Sequence, residues 1–364
     1  MKKILIVFIS LCLLLVMGVS GCNTRSGPGS SPGATNTKPD SKGEVYVYNW
    51  GGPYMDTSLF KDFEEETGIK VNYSEFQSNE ELYSILKSGA ALYDVIIPSD
   101  YMISRLISEG MLEKLDFSNI PNFSLIDDNY KSLEYDPDNK YSVAYMTGTA
   151  GIIYNPTMIK EEITSWGALF DSRYAGQILM FDNPRDAFGI ALKYLGYYPN
   201  TTDEKEIREA FDLLISQKPI LQAYVMDQIY DKLEGGEAAI GPYYAGDYLL
   251  MVENNPDLVF VRPVEGSNMF VDAMCVPTGA KNKANAEAFI NYMCSTDAAL
   301  ANMAEVYYAS PNYEANEIFL QELDPDFQEI MFASQETLAN CNVFTNLPED
   351  TLALYNTLWV ELKK

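Results

Sequence analysis

The sequence predicts an α/β fold in which two regions face each other across a cleft. Strand-like and helix-like segments alternate from residue 44 onwards, and a second alternation begins near Gly148. Strand–helix–strand spacing of this kind is typical of right-handed βαβ units on a mostly parallel sheet. Polar and aromatic side chains follow the strands of both regions, at the edge where open α/β sheets bind ligands.

The first region is predicted to contain three strands, each followed by a helix. Segments rich in β-branched and aromatic residues place the strands at 44–49, 69–73 and 93–98. Capping residues and glycines bound the helices, which are predicted to begin at Asp56, at Asn79 and near Met102, and to end at Gly68, Gly89 and Gly110. The strand ends then fall at 49–51 and 98–101.

The second region repeats this pattern with less regular spacing. Its strands are predicted at 151–154, 177–181 and 238–241. Two helices lie between the last two strands, around 187–195 and at 204–216, the latter capped by Thr202 or Asp203. Polar turns follow Phe181 and Gly241, so this region also has functional groups at its strand ends.

The N-terminus predicts export and lipid attachment. Lys2 and Lys3 precede an apolar run at 4–16 that is short for a membrane span. Residues 19–22, Val-Ser-Gly-Cys, resemble the lipobox of bacterial lipoproteins, in which the cysteine becomes lipidated. We therefore expect a signal peptide at 1–21, a lipid anchor on Cys22, a flexible tether to residue 43 and an extracytoplasmic body anchored to the cell membrane. A soluble secreted protein and an uncleaved anchor helix are the alternatives.

The composition excludes several classes of function. The chain has 52 acidic and 25 basic side chains, a formal charge of −27, which argues against nucleic acid or anionic lipid headgroups as partners. It contains no histidine, which excludes Ser-His-Asp and Cys-His catalysis and most zinc or copper sites. Carboxylate-pair hydrolysis and oxygen-ligand metal sites stay open.

Three cysteines lie beyond the signal and anchor, at 275, 294 and 341. An odd number in a long chain does not suggest a disulfide scaffold. Cys275 is predicted to be a small buried residue because it lies in an apolar strand-like run. A bridge between Cys294 and Cys341 is left open.

Ten short segments along residues 44–364 match one family in order and spacing. They are Tyr-Asn-Trp at 48–50, Glu-Thr-Gly-Ile-Lys-Val at 66–71, Ser-Asn-Glu at 78–80, Tyr-Asp-Val-Ile-Ile-Pro-Ser at 93–99, Glu-Gly-Met-Leu at 109–112, Thr-Ser-Trp at 164–166, Asn-Thr-Thr-Asp at 200–203, Glu-Gly-Gly-Glu at 234–237, the strand of Asp272, and Ser-Pro-Asn at 310–312. With these segments the chain resembles the spermidine/putrescine-binding proteins of bacterial ABC importers.

The resemblance implies a two-lobed periplasmic-binding-protein fold that closes on its ligand by a hinge. Lobe one would comprise 44–147 and 272–312, and lobe two 148–271 and 313–364. It also implies a monomeric, non-catalytic protein without cofactor or metal, which captures a polyamine outside the cell. The partner would be an ABC permease with a separate ATPase.

A polyamine is an alkyl chain with an ammonium group at each end. Its site needs carboxylates for the charges and aromatic or apolar walls for the methylenes, because an ammonium buried without a carboxylate is strongly destabilised. The strand ends offer such groups, and the resemblance implies the ligand-binding residues Trp50, Ser99, Tyr101, Asp186, Tyr244, Asp247, Phe270, Asp272 and Tyr308, each at a position that aligns with a binding residue of the family. Asp272 leads this set, since a carboxylate entering an apolar strand needs a partner. Asp100 is expected to cap a helix instead.

The chain departs from the family pattern at several positions. Gly51-Gly52 and Asn183 stand where spermidine-type proteins have acids, and Tyr244 and Phe270 replace tryptophans. Phe344 aligns approximately with a family glutamine. Whether Asn183 and Phe344 contact ligand, and which polyamine is preferred, do not follow from the sequence.

Two other functions are weighed against polyamine binding. The adjacent tyrosines Tyr243-Tyr244 and Tyr307-Tyr308 are similar to those of ferric-binding proteins of the same fold, whose iron takes oxygen ligands. A secreted hydrolase would use Asp186 and Asp272 as acid and base.

Overall fold

A computed structural model describes residues 43–52, 54–89 and 92–364. The predicted signal peptide, the lipidation site Cys22 and almost all of the predicted tether lie outside the described residues. Within the described part of the chain, no helix is both long enough and apolar enough to cross a membrane.

The first region has the predicted alternation of strands and helices. Its elements are β1 Gly43–Trp50, α1 Leu59–Thr67, β2 Ile69–Phe76, α2 Asn79–Ser88, β3 Val95–Ile96 and α3 Asp100–Ser108. The glycines predicted to end α1 and α2 do so in left-handed backbone conformation, at φ 73° for Gly68 and 63° for Gly89. A residue without Cβ adopts this conformation without steric cost, so the helix ends are set locally by sequence.

Two helix starts in this region differ from the prediction. Helix α1 begins later than expected, after Ser58, because Asp56 bonds the Ser58 amide at 2.9 Å and forms a separate turn. Helix α3 begins at Asp100 and not near Met102, with Ser99 in the capping position. Asp100 therefore lies inside the first turn and is not the cap.

The second region is longer and more complex than predicted. Its first elements are β4 Ser142–Tyr154, β5 Ile178–Phe181, α4 Pro184–Tyr194, α5 Glu204–Gln217, β6 Leu221–Val225, α6 Ile229–Glu234, β7 Ile240–Tyr244 and α7 Ala245–Asn254. Asp203, one of the two predicted caps, accepts a hydrogen bond from the Lys205 amide at the start of α5. Strand β4 begins nine residues before the predicted 151–154, whereas β7 is displaced by two to three residues from the predicted 238–241.

The remaining chain returns to the first region and then to the second. Its elements are β8 Val259–Val261, β9 Ser267–Cys275, α8 Lys283–Met293, α9 Thr296–Val306, α10 Tyr313–Glu322, α11 Pro325–Met331, α12 Gln335–Ala339, β10 Cys341–Asn342 and α13 Glu349–Leu362. Cys275 is buried at the end of β9, as predicted, and Cys275, Cys294 and Cys341 are all free thiols.

The described strands form one hydrogen-bonded path in the order β2-β1-β3-β9-β4-β7-β5-β6, with β8 added to β4 and β10 to β9. The pairs of β1 with β2 and β3, and of β5 with β6 and β7, are parallel. The two long strands at the centre, β4 and β9, run antiparallel to each other. Parallel strands thus occupy both flanks, and an antiparallel pair joins them.

Strand β4 changes partner at its midpoint. Residues 142–149 pair with β9, whereas residues 150–154 pair with β7. Separate hydrophobic cores lie on the two sides of this change: one contains Val47 and Met274, and the other contains Ile153 and Leu179. The predicted lobe boundaries, at 147/148, 271/272 and 312/313, stay a prediction.

Candidate ligand-binding site

Asp272 is a buried carboxylate with one unused oxygen. It lies on β9 beside Ser99, to which it is joined by an antiparallel bridge, and it is 4% exposed. The Tyr54 hydroxyl donates to Oδ2, whereas Oδ1 has no hydrogen-bond partner among the described residues. Because buried polar atoms are almost always paired, an unpaired carboxylate oxygen indicates a missing donor.

Burial also disfavours the charge of Asp272. It raises the pKa of this carboxyl from 3.8 to about 6, although the nearby hydroxyls of Ser99 and Tyr54 oppose the shift. A cation that bound here would restore the charged form, since an opposite charge at close range favours ionisation. The carboxylate is therefore suited to a positively charged ligand.

Asp247 lies in the first turn of α7, where two tyrosines hold it. The hydroxyl of Tyr308 donates to Oδ2, and that of Tyr230 donates to Oδ1 at 2.6 Å. Burial raises the pKa of Asp247 to about 6 despite these two hydrogen bonds. Both oxygens are already hydrogen-bonded, in contrast to those of Asp272.

Asp186 is the third buried carboxylate, in the first turn of α4. It is 6% exposed and accepts a hydrogen bond from the Tyr244 hydroxyl at 3.1 Å. Burial raises its pKa to about 7, while Tyr244 and the Arg185 guanidinium act in the opposite direction. A helix N-terminus also favours a carboxylate charge, so at Asp186 and Asp247 desolvation outweighs the helix dipole.

No ion pair within 4 Å joins Asp186, Asp247 or Asp272 to a lysine or arginine in the described chain. Buried carboxylates are normally paired. These three side chains together offer an unneutralised negative site.

Four aromatic side chains, here called the aromatic row, connect the three carboxylates. The row is formed by Tyr244, Phe270, Tyr308 and Tyr54. Successive ring centroids are 5.4, 5.4 and 5.9 Å apart, with edge-to-face geometry. Each tyrosine of the row donates its hydroxyl to a different carboxylate, namely Asp186, Asp247 or Asp272.

The donor hydroxyls of the row are held in their protonated form. Burial raises the pKa of Tyr54, Tyr244 and Tyr308 well above 10. The row thus fixes the carboxylates by hydrogen bonds and presents ring faces and edges between them. A cation benefits from such rings by about 0.5–2 kcal/mol, according to desolvation.

Two glycines make room for the aromatic row. A Cβ on Gly148 would lie 2.8 Å from Tyr308 Cδ1 and 2.9 Å from Phe270 Cζ. A Cβ on Gly246 would lie 2.7 Å from Tyr308 Cε1. Any side chain at either position would displace the Tyr308 ring, so the packing of the aromatic row requires glycine at both positions.

The structure brings six of the nine predicted residues together: Asp186, Tyr244, Asp247, Phe270, Asp272 and Tyr308. Ser99 lies next to them through its bridge to Asp272. Tyr101 lies at the Asp186 end, where the Arg185 guanidinium is 5.8 Å from its ring centroid and its hydroxyl donates to exposed Glu80 at 3.1 Å. Trp50 packs on Phe76 at 4.8 Å between ring centroids and makes no ring contact with the aromatic row.

Three residues of the site were missed from the sequence: Tyr54, Tyr230 and Arg185. Tyr54 lies in a turn after β1, and its distance in sequence from Asp272 hid the contact. Tyr230 belongs to the short helix α6, which carried no clear periodic signal. Arg185 precedes Asp186 and is buried, with its guanidinium 4.7 Å from the centroid of Phe344.

The two positions left open by the sequence lie at the Asp186 end. The Asn183 side chain caps α4 and accepts a hydrogen bond from the Arg185 amide at 2.9 Å. Phe344 lines a small pocket together with Asp186, Lys193 and Asn268. Asn183 thus has a structural role as the cap of α4, and Phe344 forms an apolar wall of the pocket.

Asp100, expected to serve as a helix cap, binds backbone instead. Its carboxylate accepts hydrogen bonds from the amides of Tyr101 at 2.7 Å and Val271 at 3.3 Å. These contacts tie the start of α3 to β9. Burial raises the pKa of Asp100 well above 3.8, which favours its neutral form.

The tyrosine pairs do not converge on one point. The hydroxyls of Tyr243, Tyr244, Tyr307 and Tyr308 bond to four different carboxylates, those of Asp227, Asp186, Glu253 and Asp247. A ferric site would require shared phenolate ligands, and burial raises the pKa of all four hydroxyls. No group of three or more Cys, Asp or Glu residues in the described chain could hold a metal ion.

Comparisons with known proteins place these features in a family. Residues 58–329 match the family model for bacterial extracellular solute-binding proteins. The chain is 34% identical to the spermidine/putrescine-binding periplasmic protein of Escherichia coli over 305 residues, which cover 83% of this chain and 86% of that protein.

Two solved structures are similar along most of their length. The spermidine/putrescine substrate-binding protein PotD of Streptococcus pneumoniae superposes with a TM-score of 0.77 at 35% identity, covering 88% of this chain and 98% of that one. The TpPotD lipoprotein of Treponema pallidum gives 0.78 at 28% identity, covering 88% and 99%. The predicted resemblance and the periplasmic-binding-protein fold are thereby confirmed. The chain belongs to the family of bacterial extracellular solute-binding proteins.

Proposed function

We propose that this chain captures a polyamine, putrescine or spermidine, outside the cell and delivers it to an ABC importer. The observation that carries the proposal is the unpartnered, buried oxygen of Asp272 beside the aromatic row. An ammonium group supplies the missing donor and the missing positive charge together. The methylenes of the ligand would lie along Phe270 and the tyrosine rings.

The relatives support this choice of ligand. The E. coli and S. pneumoniae proteins are named for spermidine and putrescine. The carboxylates and aromatic rings of this chain suit the same chemistry, because amine charges need anions and alkyl segments need apolar surface.

The chain acts in this proposal as a binding protein and not as an enzyme. Asp186 and Asp272, the pair considered for hydrolysis, hydrogen-bond to different tyrosines of the row, Tyr244 and Tyr54. This arrangement favours holding two charges of one ligand. No cofactor or metal takes part.

Location and partners follow from the N-terminal sequence and the family. We infer that Cys22 carries lipid and holds the protein at the outer face of the cell membrane, where the tether keeps the body near a permease with a separate ATPase. The lipobox-like residues 19–22 support this, as does the T. pallidum relative, which is a lipoprotein. The body would act as a monomer whose two lobes close around the amine.

Titration calorimetry on ligand-stripped protein tests the binding function. Putrescine or spermidine should release heat with one-to-one stoichiometry. Either ligand should also raise the melting temperature, because ligand at a hundred times its Kd stabilises the folded state by about 2.7 kcal/mol. Absence of heat and of a thermal shift with putrescine, spermidine and spermine would refute polyamine binding.

The lipid anchor is tested separately in cells. Metabolic labelling with a radioactive fatty acid should mark the wild-type protein and leave the Cys22→Ala variant unlabelled. Equal labelling of both proteins, or release of the wild type into the medium, would contradict lipid attachment at Cys22 and would leave the proposed binding function unaffected.

A further inference from the structure

Arg185 is a buried cation without an anionic partner. Its side chain is 5% exposed, and no carboxylate oxygen of the described chain lies within 4 Å of its nitrogens. Buried charges are normally paired, because it is costly to remove an ion from water. The missing ion pair is unexpected here, since the next residue in the chain is the buried carboxylate Asp186.

Neutral groups hold the guanidinium of Arg185 instead. One terminal nitrogen donates to Asn200 Oδ1 at 2.7 Å, and the other donates to the Thr345 carbonyl at 3.2 Å. The Phe344 ring covers the guanidinium, with 4.7 Å between Cζ and the ring centroid. The position of this charge is therefore set by uncharged acceptors and by an apolar surface.

Asn200 fixes that position with all of its hydrogen-bonding groups. It is 7% exposed, and its Oδ1 accepts from the Thr345 amide at 3.0 Å in addition to Arg185. Its Nδ2 donates to the Val343 carbonyl at 2.8 Å and to the Tyr198 hydroxyl at 3.1 Å. A carboxamide has two donor hydrogens and one oxygen with two lone pairs, so no hydrogen-bonding capacity of Asn200 is left.

The guanidinium lies close to two carboxylates without bonding to either. Burial lowers the pKa of Arg185, whereas the tyrosines and carboxylates around it, Asp100 and Asp186 among them, act in the opposite direction. Both oxygens of Asp100 already accept backbone amides. Asp186 accepts the hydroxyl of Tyr244 and is the more open partner for a cation.

We propose that Asn200 is a positioning residue of the ligand site, which holds the Arg185 guanidinium away from Asp186 and so keeps this carboxylate available to the ligand. This role rests on the proposed polyamine-binding function and gives a task to the first residue of the matched segment at 200–203. An arginine released from Asn200 would turn to Asp186 and form the ion pair that the wild type lacks. That ion pair would compete with a ligand ammonium for the same carboxylate.

Calorimetry with putrescine on the Asn200→Ala variant tests this role. The affinity should fall by about tenfold or more, because a close opposite charge typically changes the ionisation of a carboxyl by at least that factor. Binding should also release fewer protons near pH 7. The reason is that an ion pair lowers the pKa of Asp186, which burial raises to about 7 in the wild type. Wild-type affinity in Asn200→Ala would overturn the proposal.

The proton count reports on Arg185 because the variant leaves the other groups around Asp186 unchanged. The further charged or titratable side chains that face Asp186 are those of Tyr244, Glu80, Tyr101 and Lys193. A residue that only supported the fold would weaken binding without changing the number of protons released.

The substitution Arg185→Met shows whether Asn200 acts through Arg185. In the Arg185→Met background no guanidinium can reach Asp186, so Asn200→Ala should lower the affinity by no more than about threefold. If the two residues acted independently, their effects would multiply to within about twofold. Independent effects would overturn the proposal.

Asn340→Ala is the matched control for the chain segment that Asn200 holds. Asn340 is exposed, and its side-chain amide donates to the Val264 carbonyl at 3.2 Å. Its removal loosens the segment 340–345 and makes no change at Arg185, so affinity should stay within about twofold of wild type. A loss as large as that of Asn200→Ala would assign the effect to the segment and overturn the proposal.

Asn200→Asp provides a test that does not depend on the folding of the alanine variant. Its carboxylate still accepts from Arg185 and loses only the two donor bonds, so affinity should stay within about threefold of wild type. A loss of about tenfold in a variant with an unchanged melting temperature would overturn the proposal. If no amine binds the wild type, the binding function itself fails. If the wild type binds and Asn200→Ala binds equally well, the binding function stands and the positioning role is overturned.

Discussion

Asp272 and Asp247 lie on opposite ends of one tyrosine pair, yet they are held in different ways. Asp272 accepts one tyrosine hydroxyl, from Tyr54, and keeps Oδ1 free, whereas Asp247 accepts two hydroxyls, from Tyr308 and Tyr230. Burial raises both pKa values to about 6. The carboxylates are thus electrostatically alike and differ in how many hydrogen bonds they have left to make.

This difference indicates a division of work in the site. A free oxygen can form a direct, charge-assisted hydrogen bond with an ammonium, and such bonds are about twice as strong as neutral ones. A carboxylate already held by two hydroxyls acts more through its charge. We therefore expect Asp272 to anchor the ligand and Asp247 to supply charge and to fix Tyr308 in the wall.

The largest expected effect is that of Asp272→Asn on binding. Removal of one partner of a buried charge pair costs roughly 3–5 kcal/mol, so affinity for putrescine should fall by more than a hundredfold. Calorimetry measures the loss, and Asp212→Asn, on the exposed face of α5, is the matched control. Wild-type affinity in the Asp272 variant would contradict the assignment of Asp272 as the carboxylate that anchors the ligand.

The second expected effect is a dependence of affinity on pH. A cation competes with a proton at each raised carboxyl, so affinity should fall by about tenfold per group of pKa about 6 as the pH falls from 7 to 5. Binding should also release protons near pH 6. Calorimetry in buffers of different ionisation enthalpy counts these protons. A heat and an affinity that do not depend on pH would contradict the raised pKa values of Asp272 and Asp247.

The same three carboxyl groups should make the ligand-free protein less stable as the pH rises, whereas the affinity for ligand increases with pH. Between pH 3.8 and about pH 6 or 7, the ligand-free folded protein binds more protons at Asp186, Asp247 and Asp272 than the unfolded chain does. Their contribution to the free energy of unfolding therefore decreases as the pH rises through this window. Asp272→Asn should accordingly raise the ligand-free melting temperature at pH 8, where a decrease would argue for a structural role.

A smaller effect is expected from Gly148→Ala. The added methyl would overlap Tyr308 and Phe270, and overpacking of this kind costs about 1–3 kcal/mol. Unfolding in denaturant should show the loss, accompanied by weaker binding because the row is displaced. Ser172→Ala, at an exposed position remote in sequence from the row, is the control. Unchanged stability would mean that the row can move.

The smallest effect should be that of Tyr230→Phe. This substitution removes one hydrogen bond to Asp247 and keeps the ring. A hydrogen bond to a charged group contributes about 1.5–3 kcal/mol. Because the ligand can bond to the freed Asp247 oxygen and recover part of this free energy, the affinity should fall by about tenfold or less. The pH at which affinity is lost should move upward, because Tyr230 lowers the pKa of Asp247. A merely structural tyrosine would not shift the pH profile.

The local part of the fold was predictable from the sequence, and the central pair of strands was not. Helices α1 and α2 and strands β1 and β2 follow from hydrophobic periodicity and glycine stops, which act within a few residues. The first half of β4 and most of β9 were missed, because their burial depends on partners more than a hundred residues away. Short-range patterns carry no information about such pairing.

The types of residue in the site were determined by the sequence, and their division of labour was decided by the tertiary structure. The absence of histidine, the excess of acids and the motifs around Asp272 and Tyr308 were enough to predict carboxylates with aromatic walls. Only the fold brings Tyr54 to Asp272 and Tyr230 to Asp247, leaving one carboxylate open and the other closed. The physical reason is that hydrogen bonds depend on distances of about 3 Å between atoms, and these are set by packing across the whole chain.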